Sequence, residues 1–380
     1  MMSTSSARFF DPGPTTSRSL DAHGELIASL TRINAYNPPV QTCSTGWTFH
    51  GLYAGPTSVA YLFFRLSQLY PDLMFKGQSL QDWAEAYLAL GSSRVREKVD
   101  ANHCGIGSEV LSQVALRAAV EQDPSLAQSL CAWERVINDK DTTGSNEWLY
   151  GRAGYLYLLR LTRSAFLQDA RTLDLINRVI EKTVQRILSA QQPWLWHDKN
   201  YLGAVHGTFG ILCQIAVSSP SSAPALEPVV SDLLSRQFPS GNFPSSLPAR
   251  DDKLVQFCHG SPGVVLCLRS LRPYLPGLHD RIDSAITKAQ TDIQTRGILI
   301  KDPCLCHGIT GNALALDNPA QFERFLSLTS SLSLEKHGWL TEAGWDDEFV
   351  GLFIGEAGRA WLWAVAEKGI ERTCIGFNDL

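Results

Sequence analysis

Two kinds of apolar stretch alternate along the chain. One kind is amphipathic: Thr172-Leu-Asp-Leu-Ile-Asn-Arg-Val-Ile-Glu-Lys-Thr-Val-Gln-Arg-Ile-Leu repeats its apolar residues at i, i+3, i+4 and i+7, the spacing of a helix that buries one face. The other kind is shorter and apolar all round, as in Tyr155-Leu-Tyr-Leu-Leu and Val264-Val-Leu-Cys-Leu. Such runs suit helices covered on both sides. The pattern predicts an all-α protein with outer helices of the first kind and inner helices of the second.

The alternation is punctuated by a repeat. Gly-x-x-Gly followed directly by an apolar run occurs at Gly151-Arg-Ala-Gly154, Gly207-Thr-Phe-Gly210, Gly260-Ser-Pro-Gly263, Gly308-Ile-Thr-Gly311 and Gly355-Glu-Ala-Gly358, with starts 56, 53, 48 and 47 residues apart. Composition alone gives about two such pairs anywhere, and it gives no even spacing. Gly55-Pro-Thr-Ser58 keeps the design with Ser as its second small residue, and His103-Cys-Gly-Ile-Gly-Ser108 keeps it more loosely, which makes seven units. At an inner-helix entry, glycine allows unusual backbone angles and close approach of neighbouring chain. Pro56 and Pro262 stand where a first-turn proline belongs. No polar capping repeat marks either end, and closure into a ring removes the need for one. The expectation is one α/α toroid of seven helical hairpins over residues 1–380, with residues 1–20 as a flexible N-terminal segment. In a closed ring the inner-helix N-termini gather at one end of the axis and concentrate partial positive charge there.

Bulk properties narrow the function. With 44% hydrophobic and 19% charged residues the chain has the composition of a globular protein, and a formal charge of -5 leaves no basic footprint for nucleic acid or an anionic membrane. No run reaches the ~18 apolar residues of a membrane span, and no apolar signal core follows Met1. Nine cysteines, an odd number scattered through a chain this long, fit free thiols in a reducing compartment, so the cytoplasm is the expected location.

Candidate chemistry enters with Cys-His-Gly, which occurs twice, at Cys258-His259-Gly260 and Cys306-His307-Gly308, each time just before an inner helix. Composition predicts the tripeptide only ~0.02 times in such a chain. A ring would set the two copies side by side at the axis end. Two thiolates and an imidazole are three ligands of the kind zinc takes in catalytic sites, with a fourth position open. The bland alternative is that small Cys and His side chains pack beside glycine.

These paired tripeptides resemble the zinc signature of the LanC-like proteins. Trp148-Leu-Tyr-Gly-Arg-Ala-Gly-Tyr155, Tyr201-Leu-Gly-Ala-Val-His-Gly207, Leu254-Val-Gln-Phe-Cys-His-Gly-Ser-Pro-Gly263 and Leu305-Cys-His-Gly-Ile-Thr-Gly-Asn312 are similar to that family's blocks. Repeats three to six match well; one, two and seven match mainly in spacing. The resemblance implies a seven-fold toroid and one zinc ion held by Cys258, Cys306 and His307, with His259 not a ligand. It further implies addition of a thiol to dehydroalanine or dehydrobutyrine. Bacterial members close thioether rings in lantibiotics. The eukaryotic members, which resemble this chain more closely around Leu-Val-Gln-Phe-Cys-His-Gly, bind glutathione and add it to dehydroamino acids in proteins. By the same resemblance His206 is the acid/base, Glu147 occupies a position that tends to be acidic, and Arg152 and Lys301 assist phosphate loss from phosphoserine or phosphothreonine.

Each assignment has a plainer counterpart. A lone His is more often a satisfied core or surface residue; Glu147 would serve equally as a solvated loop charge, and Arg152 and Lys301 as exposed cations. His103-Cys104, Cys131, Cys213 and Cys267 read as core packing. Trp194, Trp196, Tyr201 and Trp345 line a substrate groove or simply close the rim. Three functions compete with glutathione addition to dehydroamino acids: a non-catalytic scaffold binding glutathione and zinc, a lantibiotic-type cyclase, and a glycosidase or prenyltransferase on an α/α barrel. A glycosidase wants two carboxylates about 5 to 9 Å apart, and no such pair stands out.

Overall fold

The computed structural model describes residues 8–9, 20–40, 47–91, 98–338 and 347–380. In chain order its helices are α1 (Ala22–Tyr36), α2 (Pro56–Leu69), α3 (Leu80–Gly91), α4 (Glu109–Glu121), α5 (Pro124–Ala132), the short α6 (Glu134–Ile137), α7 (Arg152–Ala165), α8 (Ala170–Leu188), α9 (Thr208–Ser218), α10 (Glu227–Leu234), α11 (Ser261–Leu271), α12 (His279–Arg296), α13 (Ile309–Leu314), α14 (Pro319–Leu328), the short α15 (Ser331–Lys336) and α16 (Glu356–Lys368). Two two-residue antiparallel ladders accompany them, Met74–Phe75 with Gln78–Ser79 and Asn200–Tyr201 with Ser246–Leu247.

Burial sorts the helices into two layers. In α9 all but one of its eleven residues are buried, whereas α8 buries seven of nineteen, at 172, 176, 179, 180, 183, 184 and 187, which is one helical face. Among the described residues α2, α4, α7, α9, α11, α13 and α16 form the inner layer. Each of them packs on the next, and α16 packs back on α2. The outer partners α3, α5, α8, α12 and α14 follow their inner helices directly, and α10 follows α9 through the 3-10 turn Pro220–Leu226. The outer partner of α16 comes from the other end of the chain: α1 packs along it. The fold is therefore the all-α toroid of seven hairpins that the repeat predicts, and its first helix completes its last hairpin.

Backbone hydrogen bonds pass from repeat to repeat just ahead of the inner helices. Cys258 N–H donates to Cys306 O (3.0 Å), Cys306 N–H to Phe353 O (2.8 Å) and Phe353 N–H to Tyr53 O (3.0 Å). Leu52 N–H donates to Ile106 O (2.9 Å) and Trp148 N–H to Val205 O (3.0 Å). This near-continuous collar holds the entry segments in register around the axis.

The repeated glycines have a steric cause. A Cβ at Gly154, Gly210, Gly263 or Gly311 would stand 1.9–2.0 Å from the carbonyl oxygen six residues earlier, and one at Gly358 would stand 2.4 Å from it. The entry segment folds back onto the first turn of its own helix, and only hydrogen fits between them. Unusual backbone angles, expected at the first glycine of each pair, occur at Gly55 (φ 88°) and Gly260 (φ 110°), while Gly151, Gly207, Gly308 and Gly355 have φ between -108° and -144°. Close approach is the more general reason for the repeat.

The C-terminal segment enters the ring from the far end of the inner helices. Asp379 accepts hydrogen bonds from Tyr61 and Tyr157 hydroxyls (3.0 Å each) and from Arg65 Nη1 (2.7 Å). Phe377 is fully buried on the axis, edge-on to Trp148 (5.4 Å between centroids) and Phe257 (5.4 Å). Phe353 meets the same two rings, so four aromatic side chains fill the axis beneath the collar. Of residues 1–20, expected to be flexible, only Arg8, Phe9 and Leu20 are described; Phe9 bridges Leu299 and Ile300 N–H donates to Arg8 O (3.0 Å).

Candidate active site

Immediately before the N-caps of the seven inner helices stand Ala54, Gly107, Tyr150, His206, His259, His307 and Ile354. Three consecutive repeats thus present an imidazole at one end of the axis. Cys258 and Cys306 each precede one of them, and the collar bond between their backbones makes them neighbours. Both side chains are buried, and the two thiols lie close enough to shift each other's ionisation. The Cys306 thiol holds the Cys258 pKa below the ordinary thiol range; the Cys258 thiol and burial push Cys306 well above it. Tyr53, largely buried, is within electrostatic reach of Cys306 and Cys258.

Gln256 reaches the pair from the entry to α11. Its Nε2 lies 3.0 Å from Cys258 Sγ, and its Oε1 accepts from Lys301 Nζ at 3.0 Å. Cys304 is a third buried thiol within electrostatic reach of Cys258, its pKa pushed up to about 12 mainly by burial, against backbone N–H bonds from His307 and Cys306. His307 is half-buried, and desolvation followed by the nearby Lys301 lowers its pKa. Among the described residues no three His, Cys, Asp or Glu side chains converge closely enough to enclose a metal ion. Cys258 and Cys306 are joined through their backbones, and His307 follows directly on Cys306.

Around the axis from the thiols, His206 Nδ1 is 2.8 Å from Glu147 Oε2. Glu147 is itself buried and accepts backbone N–H bonds from Leu149 (2.8 Å) and Tyr150 (2.5 Å). A carboxylate receiving donors on both oxygens acts as acceptor, so Nδ1 of His206 carries hydrogen and Nε2 is left free. The Trp196 ring lies parallel on His206, with centroids 3.8 Å apart and planes within 5°. His259, between His206 and His307 in ring order, packs against Tyr201 (5.3 Å). Its pKa is lowered to about 4 by burial, then by His206 and Lys301, and its Nδ1 is buried without a hydrogen-bond partner.

A cavity of about 820 Å³ opens on this side, lined by His206, Tyr150, Trp196, Asn102, Ser145 and Gly144 among others. A second, of about 430 Å³, lies across the Asp198–Tyr201 hairpin, against Tyr201, His259, Lys199 and Arg250. Arg152 is buried behind the first: Nε donates to Ile137 O (2.9 Å), Nη1 to Asn146 Oδ1 (3.0 Å), and Nη2 has no partner and lies next to Gly144. It is not an exposed cation, and it does not share the hydrogen-bond network of Lys301. Trp196 and Tyr201 line cavities, whereas Trp194 is buried with Nε1 on Ile187 O; Trp345 lies outside the described residues. Cys104, Cys131, Cys213 and Cys267 are buried, as core packing requires. His103, expected in the core, is instead exposed at the cavity rim and bonded to Asp100, because its side chain sits on a turn outside the inner layer. Sequence reasoning missed Gln256, Tyr53 and Cys304; Gln256 and Cys304 share one place in the repeat, four before its first glycine, and Tyr53 stands where Cys258 and Cys306 stand in theirs, but the residue type changes from repeat to repeat and so draws no notice.

The fold and the paired thiols ahead of neighbouring inner helices define a helical toroid with a thiol-based centre at the N-terminal end of its axis. Residues 46–369 match the model of the lanthionine synthetase C-like protein family, and the chain belongs to that family. It is 29% identical over 337 residues to "Glutathione S-transferase LANCL1" of Danio rerio, covering 82% of this chain and 81% of that protein. It is 30% identical over 182 residues to "LanC-like protein GCL1" of Arabidopsis thaliana, covering 45% and 41%. Nisin cyclase shares the fold, with a TM-score of 0.61 over 92% of this chain and 94% of that one at 17% identity. No described helix is long and apolar enough to cross a membrane.

Proposed function

We propose that this protein is a cytoplasmic transferase that adds glutathione to dehydroalanine and dehydrobutyrine residues of proteins, using one zinc ion held by Cys258, Cys306 and His307. The observation that carries the proposal is the placement, at one end of the axis, of two neighbouring buried thiols together with a histidine oriented by a buried carboxylate. The relative named a glutathione S-transferase supports the choice of thiol. The donor set fits zinc in kind, since two thiols and an imidazole are ligands of catalytic zinc; binding would draw the three side chains together, since among the described residues no three such groups converge. The eight described cysteines are all free, which supports a reducing compartment.

Bound there, zinc would supply the acidity that lets a substrate thiol ionise at neutral pH. The protein's own residues do the rest. The thiol sulfur forms a bond to Cβ of the dehydroamino acid, the C=C electron pair moves to Cα, and Cα then needs a proton. His206, held through Nδ1 by Glu147, takes the thiol's proton on its free Nε2 and delivers it from there to Cα. The Trp196 face keeps the imidazole in that plane and stabilises its protonated form.

Phosphate elimination would be the same chemistry in reverse order. His206 takes the α-proton of phosphoserine, the Cβ–O bond breaks, and phosphate leaves with its charge met by Lys301, with the buried Arg152 guanidinium adding its field from behind the cavity.

The test is mass spectrometry of a dehydroalanine peptide incubated with the protein and glutathione. The wild type should give the glutathione adduct, and His206→Asn should lose it by about 10²–10⁴-fold, the range for general acid–base catalysis, while keeping its metal. No adduct from a zinc-loaded wild type would leave a glutathione-binding scaffold as the better description.

A further inference from the structure

We infer that Gln256 is the positioning residue of the metal site: its side-chain amide, locked in one orientation by Lys301, holds the Cys258 sulfur in place as a ligand. The inference rests on the zinc assignment above and adds a residue that is not one of its ligands.

The argument is one of donors and acceptors. A lysine ammonium has only N–H donors and cannot accept, so the amide atom 3.0 Å from Lys301 Nζ must be the oxygen. The other end of the amide is then its NH₂ group, and it stands 3.0 Å from Cys258 Sγ. Turning the amide over would face NH₂ to the ammonium and oxygen to the sulfur, losing both bonds. The Gln256 backbone is also held, with its N–H donating to His259 O at 3.1 Å. The side chain is buried. A buried donor aimed at a thiol, with its orientation set from behind by a charge, is the arrangement by which outer partners orient metal ligands. Gln256 acts through Cys258 and touches no substrate.

The experiment uses the full chain, loaded with zinc or with cobalt(II), as wild type, Gln256→Leu, Lys301→Met and Cys258→Ala. Zinc affinity is read by competition with a chelator, and ligand geometry by the sulfur-to-cobalt charge-transfer absorption. Gln256→Leu should weaken zinc binding roughly 10–100-fold, the range for loss of an outer-shell partner, and should move the charge-transfer band. Lys301→Met, which leaves the amide present but free to turn, should move the band in the same direction with a smaller loss of affinity. Wild-type affinity and an unmoved band in Gln256→Leu overturn the inference while leaving the zinc assignment intact, provided Cys258→Ala abolishes binding. A wild type that binds neither metal overturns both. Should Gln256→Leu fail to fold, as melting of the metal-free proteins will report, Lys301→Met decides alone: an unmoved band there overturns the proposal.

Discussion

Arg152 and Lys301 look equivalent in the sequence, two basic residues near glycine repeats, and the structure gives them opposite surroundings. Lys301 is an exposed residue whose ammonium reaches over the thiol pair with a single bond to Gln256. Arg152 is 1% exposed, and its guanidinium ties the segment Ile137–Asn146 to the start of α7. Removing it leaves a buried carbonyl and a buried amide without their charged donor. Arg152→Met should therefore cost about 2–4 kcal/mol of stability, at the upper end of single-residue effects, read as a lowered denaturant midpoint. Lys301→Ala should leave that midpoint near wild type and lower turnover of a phosphopeptide by about 10²–10³-fold, as for loss of one electrostatic stabiliser. Turnover of a ready-made dehydroalanine peptide should fall far less. Equal losses on both substrates would assign Lys301 to glutathione or to the metal site rather than to the leaving group. The difference between these cations was not legible in the sequence, because it depends on partners many residues away: 45 positions separate Lys301 from Gln256. Cys258, His259, Cys306 and His307 were conspicuous for the opposite reason, since a repeat places them where local spacing alone can display them.

At the scale of the helix and its entry turn, the second glycine of each pair is the most restrictive position. At Gly263 a Cβ would lie 1.9 Å from Phe257 O and 2.8 Å from the Ala204 Cβ, so both its own entry segment and the neighbouring repeat would have to yield. Gly263→Ala should cost about 1–3 kcal/mol, the usual range for overpacking, although alanine favours helix over glycine by nearly 1 kcal/mol. Sterics outweigh propensity here. Because Phe257 precedes Cys258, the same substitution should lower zinc content per folded chain; full metal retention with an unchanged melting temperature would show that the entry turn adjusts freely. Repeats one and two were harder to see because other groups do the glycine's work. Ser58 replaces the second glycine of repeat one, and its hydroxyl donates to Gly55 O (2.7 Å) and accepts from Leu352 N–H (3.2 Å), joining its own turn to the last repeat. Ser108 caps α4 through its side chain, its oxygen accepting from Leu111 N–H.

Seven hairpins in a row do not by themselves make a ring; the ends must meet, and the chain joins them with charge as well as packing. Where α1 lies on α16, Glu356 is bonded by Arg32 (2.8 Å) and by Arg359 (2.6 Å), and Arg359 also reaches Glu25 (3.3 Å). The side chains of Glu356 and Arg359 are 3% and 0% exposed. No local pattern announces this seam, since the bonds that cross it join residues more than 300 positions apart, which is why, family resemblance aside, the sequence supported closure only through the lack of capping repeats. The axis filling contributed by Phe377 and Asp379 was equally hidden, because the segment that carries them has neither helical periodicity nor a repeat. The seam has a consequence for how the molecule unfolds. An open array of repeats can lose its end units one at a time, whereas a closed ring must break every interface or none. Glu356→Ala leaves two arginines facing each other at the joint, one of them fully buried, and should cost about 3–5 kcal/mol, the range for removing one partner of a buried ion pair. The cost should appear as a shift of one cooperative transition, with helix content and metal release changing together along the denaturant curve. A separate early transition, in which α1 and α16 detach while the thiol centre keeps its metal, would mean that the repeats between them stand without the seam and that closure is not what makes the fold cooperative.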